Sequence, residues 1–469
     1  MKSGHNQTLD ASWGALFTGT NFGRSLILAG GVSLHAIFIY VVATILPSVI
    51  ADIGGVAFYA WATTFFMVGS IVAAAGAPLV SMRLGPKKAY RLALAVFSLG
   101  SVLCAITPSI HILIFGRLLQ GIGGGLLTAL AYTTIRQIFP EYLHARAIAM
   151  ISGVWGVAAL SGPLIGGLFV EFSSWRASFW TALILCALFA VLSEKFLPIN
   201  SSQPTSSTKT PFGRLALLAF AALSVSAGSV PGTLSASIIG VVIALILLTM
   251  LFKLDNRSSN RLLPHGAFNP KYNLGSVSAT MALLTAGTSC FAFLPYILKV
   301  SFGITPIVAG YIIATEALAW TLTALFTASV SEAQAKKLML FSPIIMIVGM
   351  IGLTLSLGTT SIPLIAISVA IVGCGIGAGW AHLGTHMISI APKEEQDVAA
   401  AFISTTQLIS TAFGSAIAGV IVNLGGLSTT TDSGQVLQIG IYLLGAFSVL
   451  PALGVMTALR TRYQIQTSL

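Results

Sequence analysis

Apolar stretches of similar length alternate with short polar ones along nearly the whole chain of 469 residues. A helix needs about 20 consecutive apolar residues to cross the ~30 Å hydrocarbon core of a bilayer. We therefore predict an all-α polytopic membrane protein in which fourteen stretches form transmembrane helices. They lie near residues 25–49, 57–82, 89–107, 110–135, 146–171, 175–197, 214–230, 232–253, 273–298, 304–331, 338–357, 362–391, 397–424 and 435–459.

Two polar segments divide the predicted helices into groups. Residues 200–211 are rich in Ser, Thr and Pro, a composition typical of a flexible linker, and residues 254–272 form a longer loop of mixed composition. This division predicts six helices in residues 1–199, two intervening helices with their loops in residues 200–271, and six helices in residues 272–469.

Composition and charge exclude a soluble protein and indicate an orientation. Hydrophobic residues make up 56% of the chain and charged residues only 7%, whereas a soluble domain has roughly 25% charged residues. In the predicted topology, twenty of the 23 Lys and Arg residues lie on one face of the membrane, two lie on the other, and Arg117 lies within a helix. Because positive residues are retained on the cytoplasmic side, we expect a multi-pass protein of the cytoplasmic membrane with both termini in the cytoplasm. The net charge of +11 then needs no nucleic-acid partner.

The two six-helix groups share short motifs in the same order, at an offset of about 250 residues. The run Gly121-Ile122-Gly123-Gly124-Gly125 recurs as Gly375-Ile376-Gly377-Ala378-Gly379, and Ile138-Phe139-Pro140-Glu141 recurs as Ile390-Ala391-Pro392-Lys393. Parallel repeats of this kind are typical of transporters, in which two halves move about a central binding site.

Two motifs lie in the region from Ile114 to Leu168. One is Arg117-Leu118-Leu119-Gln120-Gly121 with its glycine run, and the other contains the small residues and proline of the predicted fifth helix, Gly153, Gly156, Gly162, Pro163, Gly166 and Gly167. With these motifs the chain resembles the major facilitator superfamily, and within it the fourteen-helix drug:proton antiporters of the multidrug efflux type. The resemblance implies that Arg117 takes part in proton coupling and that the second motif belongs to exporters. The alternative for Arg117 is a hydrogen-bonded residue that only holds helices together.

The loop after the second predicted helix departs from the family pattern. Relatives carry an acidic residue before a basic cluster in this loop, which the resemblance identifies as a gating loop. This chain has Met82 at the acidic position but keeps the residues Arg83, Gly85, Lys87 and Lys88. A charge relay through an acidic residue at position 82 is therefore excluded in its usual form.

Glu316 is the acidic residue that lies deepest in a predicted helix. A carboxyl group within a membrane is costly, and burial favours its protonated form, so Glu316 is the first choice for a proton-coupling residue. Trp320 lies one turn further along the same face, where a cation would meet both a carboxylate and an aromatic ring. His35, in the first helix, is a second titratable residue that the sequence places with Glu316 and Arg117 in proton coupling.

Further residues are assigned to a substrate cavity between the halves. His382 and His386 lie one turn apart on one helix, and without a third ligand we expect polar lining, proton relay or packing there rather than metal binding. Aromatic rings suit amphipathic organic ligands. Together with Trp320 and the two histidines, the predicted cavity residues are Tyr40, Trp155, Phe293 and Tyr296.

The sequence thus favours a transporter without a cofactor and not an enzyme. No nucleophile constellation or phosphate-binding loop is evident, so the proton gradient is the expected energy source. The leading hypothesis is a monomeric, proton-coupled exporter of amphipathic or cationic organic compounds that works by alternating access. The alternative is an exporter or symporter of one specific metabolite or siderophore, which differs only in the chemistry of the cavity. A membrane sensor or scaffold is disfavoured, because no soluble signalling domain is evident.

Overall fold

The computed structural model describes residues 13–54, 58–198, 211–229, 233–258, 261–267, 269, 271–304, 306–359, 361–427 and 432–467. All regular secondary structure in this part of the chain is helical. The α-helices are α1 (Gly19–Ile53), α2 (Tyr59–Ile106), α3 (Ile110–Ile138), α4 (His144–Phe172), α5 (Trp175–Phe196), α6 (Phe212–Ser229), α7 (Leu234–Asn256), α8 (Asn273–Thr288), α9 (Leu294–Phe302), α10 (Pro306–Thr327), α11 (Glu332–Thr359), α12 (Ile362–Ile390), α13 (Gln396–Leu424), α14 (Ser433–Phe447) and α15 (Val449–Thr467).

Twelve helical segments of the described residues are long and apolar enough to cross a bilayer. Helix α2 is counted once among them, although it covers the predicted helices near 57–82 and 89–107. Helix α6 contributes only the shorter apolar segment Phe212–Val225. If α2 crosses the bilayer twice and α6 crosses it once, the number of crossings rises from twelve to fourteen. The number fourteen therefore depends on these two assignments and stays a prediction.

A local break in α2 marks the point where the chain turns back. Gly85 has φ 76° and ψ 161°, a backbone conformation that a residue with a Cβ rarely adopts. Pro86 follows and has no backbone N–H to donate to the preceding turn. These two residues therefore end one helical segment and start the next without an intervening loop.

The helices form two groups that follow the internal repeat. We call α1–α5 the N-terminal half and α8–α15 the C-terminal half; contacts between them involve mainly α4 with α10 and α3 with α13. Helices α6 and α7 pack closely on each other where Gly228 meets Gly240; α6 contacts both α2 and α13, and α7 contacts α13. The two intervening helices therefore lie beside the junction of the halves. The exact domain limits at residues 199 and 271 stay predictions.

Ion pairs join helix ends on both faces of the helical assembly. At the face where α1 begins, which we call the basic end, Glu194 of α5 pairs with Lys87 at 3.0 Å and with Arg91 at 2.9 Å. At the opposite face, which we call the outer end, Asp52 of α1 pairs with Arg176 and accepts a hydrogen bond from Trp175 Nε1 at 3.1 Å. Both clusters tie helices of the N-terminal half together.

The Asp52 cluster predicts a pH-dependent contribution to stability. Hydrogen bonds from Arg176 and from Trp175 hold the pKa of Asp52 below its usual value of 3.8. Since the pKa is lower in the folded protein, the stabilisation is complete above pH 3.8 and is lost as the pH falls further. We expect Asp52→Asn to lower the thermal unfolding midpoint at pH 7 by a few degrees.

The difference between wild type and Asp52→Asn should then shrink as the pH is lowered toward 3. Thermal unfolding of the detergent-solubilised proteins at several pH values measures it. An Asp52→Asn variant with the wild-type midpoint at pH 7 would contradict a stabilising role for the pair.

Candidate functional site

A cavity of about 220 Å³ lies at the junction of the two halves. Its walls come from α1, α2 and α4 on one side and from α8, α10 and α13 on the other. Four residues that the sequence assigned to coupling or substrate binding line it together, namely Tyr40, Trp155, Glu316 and Trp320. Ser152, Thr285, Thr288, Gln407 and Thr411 add polar groups to its lining. The cavity thus combines aromatic rings, hydroxyls and one carboxyl group.

Glu316 is placed by close packing of α10 against α12. The backbone of Glu316 lies so near Gly373 that a Cβ at position 373 would overlap the Glu316 carbonyl group. Within 4.0 Å, Glu316 makes no ion pair with any basic residue of the described chain. The carboxyl group is therefore available to a proton or to a cationic ligand.

Several buried donors around the cavity have no partner among the described residues. They are Trp155 Nε1, Trp320 Nε1 and Thr321 Oγ1. A buried polar atom without a hydrogen bond costs about 1–3 kcal/mol, so such atoms are usually paired with a ligand or water. The edge-on contact of Trp320 with Trp380, at 5.4 Å between ring centroids, holds this indole on the cavity wall.

Arg117 does not line the cavity and lies in a pocket of its own between α2 and α3. Its side chain is 1% exposed, and its Nη1 donates a hydrogen bond of 3.0 Å to Gln120 Oε1. Gln120 in turn donates to Ser101 Oγ at 2.8 Å. The guanidinium carbon lies 4.0 Å from the centroid of the Phe66 ring. The sequence assigned Arg117 and Glu316 to proton coupling together; the structure gives Arg117 a local acceptor, Gln120, and no ion pair with Glu316.

His35 connects the Arg117 pocket with the cavity. Its ring stacks on the same Phe66 at 5.1 Å and meets Trp155 edge-on at 5.8 Å. Both ring nitrogens are buried and have no hydrogen-bond partner among the described residues. A continuous series of contacts therefore runs from Arg117 through Phe66 and His35 to Trp155 on the cavity wall.

The glycines of α3 and α4 make this packing possible. A Cβ at Gly121 or Gly125 would overlap the backbone of α2, and a Cβ at Gly124 would approach His35 Nδ1. In α4, Gly153 and Gly156 face Thr321 of α10, whereas Gly162 and Gly166 face Tyr40 and Thr44 of α1. A Cβ at Gly167 would meet no atom within 4 Å, and Pro163 is exposed. The motif therefore brings α4 close to a helix of each half.

The remaining predicted cavity residues lie elsewhere. His382 Nε2 is 3.0 Å from the Thr327 carbonyl oxygen, and His386 Nε2 is 3.5 Å from Asn273 Nδ2, so both histidines contact neighbouring helix ends. Tyr296 is 40% exposed on α9, and Phe293 precedes that helix; neither lines the cavity. In the described part of the chain, no group of three His, Cys, Asp or Glu side chains could hold a metal ion.

The predicted gating loop has a different acidic partner from that of the family pattern. Lys87 follows Gly85 and pairs with Glu194 of α5, while Met82 is 43% exposed. Lys88 and Arg83 belong to the same turn. The basic cluster of this loop is therefore paired with Glu194 of α5. In the family pattern, its expected partner is an acidic residue at position 82.

Sequence reasoning missed an ion pair that joins the halves at the basic end. Arg136, at the end of α3, pairs with Asp397 of α13 at 2.9 Å and also hydrogen-bonds Gln396. Nearby, a Cβ at Gly384 of α12 would lie 3.2 Å from Ile403 and 3.7 Å from Ile148 of α4. The sequence did contain a signal for this pair. The Ile-x-Pro segment occurs at 138–140 and again at 390–392, and Arg136 and Asp397 each lie near one of these two segments.

Comparisons with known proteins identify the family of this chain. Residues 28–287 and 275–464 each match the Major Facilitator Superfamily. A probable multidrug-efflux transporter of Mycobacterium tuberculosis is 36% identical over 471 residues, which cover 97% of each chain. A riboflavin transporter of Clostridioides difficile is 24% identical and covers 71% of this chain and 73% of its own. The crystal structure of a human organic anion transporter superposes with a TM-score of 0.68 at 14% identity, covering 93% of this chain and 99% of its own.

The chain therefore belongs to the Major Facilitator Superfamily, and it is a multi-pass membrane protein. The family and the relatives named above are transporters, which supports the prediction of a transporter over that of an enzyme. Transporters of this superfamily usually work as monomers.

Proposed function

We propose that this protein is a proton-coupled exporter of amphipathic or cationic organic compounds, of the multidrug efflux type. The observation that carries the proposal is the carboxyl group of Glu316 in a cavity shared by both halves, among aromatic rings and unpaired donors. A protonated Glu316 releases a cation, and an ionised one binds it, so proton and substrate compete for one site. The efflux relative at 36% identity supports the same substrate class.

The proposal includes a location and an orientation. Apart from Arg176 and Lys299, the described basic side chains outside the Arg117 pocket lie at or near the basic end. We infer that this end faces the cytoplasm of a cell whose cytoplasmic membrane holds the protein, with both termini inside and fourteen crossings. In this orientation α2 crosses twice, turning at Gly85, and α6 crosses once.

The contacts between the halves support the proposal of alternating access. At the basic end, the Arg136–Asp397 pair and the approach of α4 to α12 hold the halves together. Opening the cavity to the cytoplasm requires the Arg136–Asp397 pair to break. The small residues of α4 allow this helix to pivot on α1 and α10. Arg117, linked to the cavity through Phe66 and His35, is assigned the role of coupling protonation to this movement.

A second candidate function is the transport of one specific metabolite. The riboflavin transporter relative favours it, as do the indole and hydroxyl donors, which suit a ligand rich in hydrogen-bond acceptors. A ligand of this kind would be recognised by many directional hydrogen bonds, whereas a multidrug site relies on apolar and electrostatic contact.

The proposed function is tested with purified protein in proteoliposomes under an imposed pH gradient of either sign. We expect cationic dyes to move against the direction of proton flow, and the sign of the gradient that drives uptake gives the direction of transport. A panel containing lipophilic cations, neutral amphiphiles and flavins separates the two candidates. Movement of every substrate independent of the gradient would contradict proton coupling.

A further inference from the structure

A second cavity, of about 430 Å³, lies outside the central site. It is lined by α8, α13 and α15 of the C-terminal half and by Ala267 of the preceding loop. This volume lies within the range of roughly 300–1,000 Å³ that is usual for organic ligands. We call this cavity the α8/α15 groove.

The α8/α15 groove exists because α8 presents small side chains along one face. Gly275, Ser278, Ala279 and Ala282 follow one another at helical spacing and all line the groove. Small residues at such spacing usually allow a neighbouring helix to pack closely. Here α15 does pack against α8, with Thr280 Oγ1 2.7 Å from Thr457 Oγ1, but a space is left open beside the small residues, between α8, α13 and α15.

The groove opens sideways toward the bilayer and starts at the basic end. On its rim, Leu453 is 44% exposed and Met456 is 59% exposed. From Phe402 to Ser410 on α13 it extends for about 12 Å toward the middle of the membrane, at 1.5 Å per residue. An occupant that enters from the bilayer therefore lies parallel to the helices.

The polar groups of the groove are arranged in a definite order. The exposed guanidinium of Arg460 lies at the basic end, where a charged group meets the membrane surface. Further in, Thr406 is 5% exposed, and its hydroxyl has no hydrogen-bond partner among the described residues. Rotation about the Cα–Cβ bond of Thr406 exchanges the positions of its methyl and hydroxyl groups. The rest of the groove lining is mainly apolar.

We propose that the α8/α15 groove binds an anionic phospholipid from the leaflet at the basic end. A phospholipid has the same order of groups: a phosphate at the surface for Arg460, ester carbonyls below it for the Thr406 hydroxyl, and an acyl chain for the apolar wall. The charge of Arg460 selects an anionic headgroup over a zwitterionic one. The groove borders α13, which also carries Asp397 of the inter-half ion pair, so an occupied groove stabilises one face of a helix on which alternating access depends.

The test compares lipids retained by the full-length protein after purification from mixed vesicles of phosphatidylglycerol and phosphatidylcholine. Native mass spectrometry counts the bound lipids. We expect wild type to retain phosphatidylglycerol preferentially, and Arg460→Ala to reduce this preference about fivefold. Ala282→Phe should fill the groove and remove the retained lipid of either kind; Ala279→Leu serves the same purpose if Ala282→Phe does not fold.

Lys337→Ala is the matched control, because Lys337 is an exposed basic residue at the same end of the C-terminal half but does not line the groove. It should retain lipid as wild type does. Equal retention of both lipids by wild type, an equal loss in Lys337→Ala and Arg460→Ala, or unchanged retention in the groove-filling variant would each overturn the proposal. Displacement of the lipid by an excess of a transported dye would assign the groove to substrate instead. None of these results depends on whether the protein exports drugs.

Discussion

Replacing Glu316 by Gln is expected to reduce pH-driven transport strongly while leaving the protein folded and inserted in the membrane. Gln is close to Glu in size and keeps hydrogen-bonding capacity, but it neither ionises nor binds a proton. Because Glu316 makes no ion pair with a described basic residue, its neutralisation removes no structural salt bridge. Coupling free energies are typically about 1–3 kcal/mol, so dye exchange driven by a pH gradient should fall roughly tenfold or more.

The measurement is dye uptake into proteoliposomes with and without the gradient, together with dye binding at equilibrium. Binding of a cationic dye should weaken and lose its dependence on pH, while a neutral amphiphile should bind as it does to wild type. Glu171→Gln is the matched control, because Glu171 is an exposed acidic residue at the outer end of α4. Wild-type exchange by the Glu316→Gln variant would remove Glu316 from the mechanism.

Replacing Arg117 by Ala is expected to separate substrate movement from proton movement. The substitution removes the hydrogen bond to Gln120 and the contact with the Phe66 ring, and it leaves Gln120 Oε1 with only the weak Cys104 Sγ donor at 3.9 Å. Loss of the guanidinium donor costs about 1–3 kcal/mol, so the thermal midpoint should also fall. If Arg117 couples the sites through Phe66 and His35, substrate-induced proton flux should fall further than dye binding does.

A structural role for Arg117 predicts a different pattern. Its loss would then lower stability and all activities together, and the proton flux per substrate molecule would stay at the wild-type ratio. Arg146→Ala is the matched control, because Arg146 is a buried arginine of α4 that bonds the Tyr142 carbonyl oxygen at 3.3 Å, away from the cavity. Arg117→Lys keeps the charge but not the planar guanidinium, and we expect it to restore coupling only in part.

The positions of the residues proposed for coupling and for the cavity were only partly predictable. Glu316 and Trp320 were found because a carboxyl group within an apolar helix is costly and one turn places the two side chains on one face. Tyr40 and Trp155 were assigned to the same cavity and do line it. By contrast, His382 and His386 share a helix with the second glycine run but lie on parts of it that contact Thr327 and Asn273. Periodicity shows which residues share a face, and it does not show what that face meets.

The acidic partners of basic residues show the same limit. Met82 correctly indicated that the acid expected at position 82 is absent, yet the sequence did not indicate that Glu194 would take its place beside Lys87. These two residues are 107 positions apart, and only the packing of α5 against α2 brings them together. The Arg136–Asp397 pair, separated by 261 positions, depends likewise on how the two halves meet.

The sequence by itself determined that this is a helical membrane protein with a repeated architecture and a carboxyl group within a helix. Each of these properties depends on local composition and spacing, because a bilayer requires apolar helices of a fixed length and penalises every buried charge. Tertiary structure alone decided that the Arg117 guanidinium lies over the Phe66 ring, that His35 stacks on the same ring, and that a groove opens between α8, α13 and α15. These features arise from contacts between helices that are distant in the chain, where small residues set how closely the helices approach.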